Sequence, residues 1–120
     1  MTVVTGAGIR FVDLPGRRAA DPLRGVETSS SLRIVELERT EGRTAHRHPL
    51  SEEVIYIEAG RGRVWLDGEW HPVAPGDTVH VPAGSAHATV PDEGADMRLV
   101  CFFPHPDLFA NNEDTDITVT

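Results

Sequence analysis

Eleven glycines and nine prolines punctuate a chain of 120 residues, and this density of breakers constrains the fold more than any other feature. It favours many short strands joined by turns over long helices. Between the breakers the apolar residues recur with a period of two. Segments 10–14, 32–38, 53–58, 63–66, 69–73, 77–81, 86–90 and 97–103 therefore read as strands. Asp67-Gly68, between two such runs, is a strong two-residue hairpin signal. Seven or eight strands at spacings of roughly 8–12 residues, without an amphipathic helix of convincing length, imply an all-β single domain built as an antiparallel sandwich or jelly-roll barrel.

The organisation expected along the chain is an N-terminal arm over 1–31, a barrel over 32–106 and an acidic, mobile C-terminal tail over 107–120. Within the arm, residues 10–14 are suited to an edge strand or to one exchanged with a second copy. Hydrophobic residues make up 39% and charged residues 25%, which excludes disorder and coiled coil. The net charge is −8 and all eleven cations are arginines scattered from Arg10 to Arg98, so neither nucleic acid nor an anionic membrane surface is an expected partner. One cysteine, Cys101, excludes an internal disulfide framework and reads as a small buried hydrophobe. With no signal-peptide pattern and no apolar run of membrane-spanning length, a cytoplasmic protein is expected.

The residues that carry chemistry lie at His46-Arg47-His48-Pro49-Leu50-Ser51-Glu52-Glu53. In an extended chain, positions i and i+2 share a face, so His46 and His48 can aim both imidazoles at one point. A carboxylate follows at Glu53, with Glu52 as the alternative, and a third histidine, His87, comes after the turn at 82–86. Imidazole suits zinc, copper, iron and nickel, and an added carboxylate extends the range to manganese. A His-x-His pair on a strand is equally compatible with a solvated or hydrogen-bonded pair.

The punctuation around these residues resembles both sequence motifs of the cupin superfamily. In the first, His46-Arg47-His48 is followed after four residues by Glu53 and after six more by Gly60. In the second, Gly76 is followed after five residues by Pro82-Ala83-Gly84 and after two more by His87. The sequence departs from the pattern at Thr40, where a glycine is usual (Gly42 stands nearby), and at Pro91 in place of asparagine.

The resemblance implies a double-stranded β-helix with His46, His48, Glu53 and His87 holding one divalent transition metal (iron, manganese, nickel or zinc) in the barrel mouth. It also implies a small-molecule substrate and a homodimer. The interval to Gly60 selects Glu53 over Glu52. Three histidines and a carboxylate leave two positions open on a six-coordinate ion, so a dioxygenase-type enzyme acting on an oxygen-rich or carboxylate-bearing metabolite is the first expectation. A redox-neutral cyclase, isomerase or decarboxylase is the second, and a non-enzymatic binder of metal or metabolite the third. Further site residues expected are Glu53 and His80 as proton-transferring groups, and Arg61, Arg63, Tyr56 and Trp65 as substrate-binding groups.

Overall fold

A computed structural model describes residues 1–120 as a barrel of eleven strands with a single 3-10 turn at Gly6–Gly8. In chain order the strands are β1 (Val12–Leu14), β2 (Arg17–Ala20), β3 (Ser31–Leu37), β4 (Thr44–Arg47), β5 (Glu53–Ala59), β6 (Gly62–Leu66), β7 (Glu69–Val73), β8 (Thr78–Val81), β9 (His87–Pro91), β10 (Met97–Phe103) and β11 (Glu113–Thr118). They form two antiparallel sheets. One has the order β1-β2-β3-β10-β5-β8 and the other β11-β4-β9-β6-β7. This is the jelly-roll architecture expected from the breaker pattern. No helix is long and apolar enough to cross a membrane.

The turn chemistry explains the connections. Asp67 and Gly68 both have positive φ, 46° and 95°, as a two-residue primed turn requires, and Leu66 pairs directly with Glu69 across it. Pro15-Gly16 plays a similar part between β1 and β2, where Leu14 pairs with Arg17.

Strict alternation then decides what each side chain sees. On the six-stranded sheet Val35, Leu37, Ile55, Ile57, Leu99 and Phe103 point inward and form most of an eleven-residue core cluster. Their neighbours Leu32, Ile34, Val54, Tyr56, Val100 and Phe102 share the outer face of the same sheet. On the other sheet Ala45, Ala86 and Ala88 form a second, small cluster outside the barrel. Trp65, Ile117 and Val119 cover it.

Two parts of the expected organisation are corrected. Residues 113–118 do not form a mobile tail. They pair as β11 with β4, Glu113 opposite Arg47 and Asp114 opposite His46, because this edge otherwise leaves ladder groups of β4 unpaired. The N-terminal arm is likewise part of the barrel wall. Its β2 pairs with β3 of the same chain from Arg17↔Leu37 to Ala20↔Ile34, and Ala19 and Ala20 are buried.

Gly60, which closes the first motif, has φ +79°, and a Cβ there would run into the backbone carbonyl of Asp96. A left-handed φ costs a non-glycine residue about 1–2 kcal/mol and overpacking about 1–3 kcal/mol more. Gly60→Ala is thus expected to lower stability by about 2–5 kcal/mol, measured by chemical denaturation. A loss below about 0.5 kcal/mol would contradict this packing.

Candidate metal centre

Four side chains from three strands and one loop converge inside the barrel. His46 lies on β4 opposite His87 of β9, and His48 follows the end of β4. Glu53 opens β5 from the facing sheet, paired with Val81. One potential ligand atom from each of His46, His48, Glu53 and His87 can be chosen so that all four lie within 4.8 Å of one another. His48, Glu53 and His87 are buried, and the rings of His46 and His87 are 4.4 Å apart, centroid to centroid.

Backbone carbonyls set the orientation of two rings. His48 Nδ1–H donates to the carbonyl of Asn111 at 2.7 Å, and His87 Nδ1–H donates to that of Ser85 at 3.0 Å. A carbonyl oxygen only accepts, so in each neutral ring the proton sits on Nδ1 and Nε2 carries a lone pair. Both Nε2 atoms face the same carboxylate oxygen: Glu53 Oε1 is 2.8 Å from His87 Nε2 and 3.1 Å from His48 Nε2. Three electron-pair donors directed at one place repel each other unless a cation or a proton lies between them.

The protons of the metal-free protein cannot satisfy every member. Burial alone disfavours a charged His87, but the hydrogen bond to Glu53 and its negative charge outweigh this and raise the pKa of His87. Burial likewise opposes a charged Glu53, yet the two imidazoles packed against it, His48 and His87, hold its carboxyl well below the usual range. His48 Nε2 is left buried without a hydrogen-bond partner. Neighbouring ligands on a six-coordinate ion with bonds of about 2.1 Å stand about 3 Å apart, close to the two spacings at Glu53. An imidazole and carboxylate donor set at this separation, with an orphaned Nε2 aimed into it, fits a divalent transition ion.

Asn111 is the residue that sequence reasoning missed. It is buried; its carbonyl accepts from His48, its Oδ1 accepts from the Leu50 amide at 2.8 Å, and its Nδ2 donates to Ser51 Oγ at 2.8 Å. One residue thus ties the loop after β4 to the segment before β11 through its side chain and holds the ring of His48 through its backbone carbonyl. Its only signal was the Asn111-Asn112 pair in a segment read as a tail.

The remaining expected site residues fall elsewhere. Glu53 faces inward, so along β5 Ile55 and Ile57 do too, and Tyr56 lies on the outer face. His80 is opposite Val54, also on the outer face, exposed and 3.7 Å from Glu52. Arg63 and Trp65 occupy the outer face of β6, with Arg63 stacked 4.0 Å from the Trp70 ring and Trp65 against the alanine cluster. Arg61 is exposed in the turn before β6. The pleat thus turns His80, Arg63, Tyr56 and Trp65 away from the interior, and Arg61 lies in a turn outside it.

The interior holds a cavity of about 90 Å³ bounded by the four converging residues, apolar Ile55, Leu99 and Phe103, and Arg17 and Arg43. Cys101 also borders it, but burial and the adjacent Glu53 push its thiol well above the ordinary value, so it stays a neutral group.

Burial, followed by the charge of His87, lowers His46 to about 3. Its neutral form is favoured on folding, so stability is present above pH 6.5 and is lost as the pH falls from 6.5 towards 3. Glu53 begins to contribute only below its unfolded value near 4.5, and the raised His87 changes stability only above 6.5. Between pH 6.5 and 4.5 the metal-free protein is therefore expected to lose stability by up to about 1.4 kcal/mol per pH unit through His46. His46→Asn is expected to flatten that slope in denaturation series, and an unchanged slope would contradict the placement.

Comparison with known proteins agrees with this picture. Residues 33–103 match the profile of the cupin domain family Cupin_2. The chain is 31% identical over 123 residues to the protein SchB of Streptomyces halstedii, covering 92% of this chain and 89% of that protein. It is 32% identical over 114 residues to the polyketide synthase CurC of Streptomyces cyaneus, covering 82% and 74%. A 72-residue match, 35% identical, covers 60% of this chain but only 55% of the uncharacterized protein MJ1618 of Methanocaldococcus jannaschii. Among solved structures, the nucleoside dehydratase Pac13 of Streptomyces superposes with a TM-score of 0.82 at 16% identity, covering 99% of this chain and 94% of that one, a likeness of fold.

Proposed function

The chain belongs to the cupin family, and from that premise we propose that it is a metal-dependent enzyme acting on a small, oxygen-rich metabolite. His46, His48, Glu53 and His87 hold one divalent transition ion in this reading. The observation that carries it is the convergence of two Nε2 atoms on one desolvated carboxylate oxygen, with His48 Nε2 unpartnered. When bound, such an ion supplies Lewis acidity towards a carbonyl or enolate oxygen.

The protein's own contributions follow from its geometry. The carbonyls of Asn111 and Ser85 hold the Nδ1 protons of the two rings and aim both Nε2 atoms at Glu53, so little reorientation is needed on loading. Ile55, Leu99 and Phe103 limit water on one side of the cavity, which strengthens electrostatic interactions inside it.

The resemblance to a polyketide synthase supports a substrate rich in carbonyls and enols and a redox-neutral reaction such as cyclisation or isomerisation. Dioxygenase-type chemistry is the second reading, favoured by the ligand set alone, and oxygen uptake with the same substrates separates the two. Untagged protein purified under nitrogen is expected to carry close to one transition ion per chain by mass spectrometry. Glu53→Gln should weaken metal binding by more than the roughly 10–100-fold typical of outer-shell changes. Protein that takes up no metal after reconstitution would overturn the assignment.

A homodimer forms through the outer face of the six-stranded sheet in this reading. Leu32, Ile34, Val54, Tyr56, Val100 and Phe102 lie side by side there by register, with Tyr56 47% and Phe102 42% exposed. A contiguous apolar face of this kind is typical of an interaction site. Light scattering is expected to give a dimer mass for the wild type and a monomer mass for Phe102→Arg; a monomeric wild type would sink the idea.

A further inference from the structure

Arg17, Arg33 and Arg43 all border the cavity that contains the four converging residues, and they differ in how their charge is met. Arg33 is neutralised: its Nε and Nη2 donate to the two oxygens of Asp21 at 2.7 and 3.1 Å. Arg43 Nη2 donates to neutral acceptors only, the carbonyls of Glu38 at 2.8 Å and Gly16 at 3.3 Å and Thr40 Oγ1 at 3.3 Å, and its Nε is buried without a partner. Arg17 forms no ion pair within 4.0 Å and no side-chain hydrogen bond, and its Nε is also buried and unpartnered. Of the 19 acidic residues of the chain, none thus forms an ion pair with either guanidinium group within 4.0 Å, although the charge of Asp114 is felt at Arg17.

A guanidinium keeps its proton under all ordinary conditions, so both groups remain cations open to an ion-pair partner from a ligand. Burial, reinforced by a neighbouring arginine (Arg33 for Arg17, Arg17 for Arg43), lowers both pKa values, and the charge of Asp114 offsets this only in part at Arg17. Arg17 has a second role in the architecture. It stands on the inner face of β2 opposite Leu37, and it borders both the cavity and a groove of about 790 Å³ beneath the N-terminal arm. That groove has an apolar wall including Val4, Ile9, Val12, Leu14 and Phe109.

We propose that Arg17, with Arg43 beside it, is the anion-recognition element of this site, and that the substrate is a carboxylate or enolate whose apolar body extends into the groove under the N-terminal arm. This deepens the proposed function, because it names the substrate class for the same cavity. The anion contact itself does not require the ion. Charge-assisted, two-pronged hydrogen bonding from a guanidinium selects a planar oxyanion over its neutral amide.

The test uses benzoate and its neutral counterpart benzamide, titrated at constant ionic strength into metal-free and zinc-loaded protein and followed by amide chemical shifts. Benzoate is expected to bind wild-type protein in both forms, at least tenfold more tightly than benzamide, with shifts around Arg17 and Arg43. Arg17→Gln should weaken benzoate at least tenfold in both forms, Arg17→Lys should recover part of the loss, and Arg63→Gln on the outer face should change nothing. Equal binding of benzoate and benzamide, no benzoate binding at 10 mM, or unchanged affinity in a folded Arg17→Gln would each overturn it. Zinc stoichiometry measured on the same samples separates the two ideas: loss of zinc binding with retained benzoate selectivity defeats the metal assignment alone, and the reverse defeats the anion site alone.

Discussion

The structure depends on a desolvated carboxylate, Glu53, facing two imidazole rings that have already committed one nitrogen each to a backbone carbonyl. Leaving a charge unpaired in a protein interior costs several kcal/mol, so the surrounding chain must bring compensating groups from distant segments. It does so with a turn at Ser85 and with the segment before β11 at Asn111, each supplying a carbonyl to one ring. The C-terminal strand is paired with β4 beside His46, and its approach segment orients His48. Barrel closure and site assembly are therefore one event.

The pleat has the same reach. Glu53 must face inward to meet the histidines, and period-two geometry then places Ile55 and Ile57 in the core and Val54 and Tyr56 outside. The same parity puts His80 outside and Val79 and Val81 inside. An outer face lined by Leu32, Ile34, Val100 and Phe102 is the counterpart of an inner face occupied by Val35, Leu37, Leu99 and Phe103. Side chains of similar chemistry thus serve the core or the surface according to their distance in residues from one carboxylate.

Charge is distributed with equal consequence. The chain is acidic overall, yet the wall of its innermost cavity carries arginines from the N-terminal hairpin, from β3 and from the approach to β4. Only Arg33 receives a carboxylate. A cavity combining a carboxylate-histidine cluster at one place with uncompensated guanidinium groups at another is polarised, and polarisation of this kind orients an anionic ligand before any bond to it forms.

The breaker density, the turn at Asp67-Gly68, most of the strands and the four converging residues were legible in the sequence, because each rests on local rules: turn conformations, alternation and the spacing of His46, His48, Glu53 and His87. Tyr56 was expected at the site, although its odd separation from Glu53 already assigns it to the opposite face. What only the tertiary structure decided is long-range. Residues 113–118 have little apolar content and became a strand because β4 offered an edge. Asn111 acquired its role by landing beside His48, 63 positions away in the chain. Arg17 faces the cavity because the N-terminal hairpin folds back onto β3. Pairings of this kind follow from which edges and charges remain unsatisfied once the barrel has closed, and no local pattern in the sequence encodes that remainder.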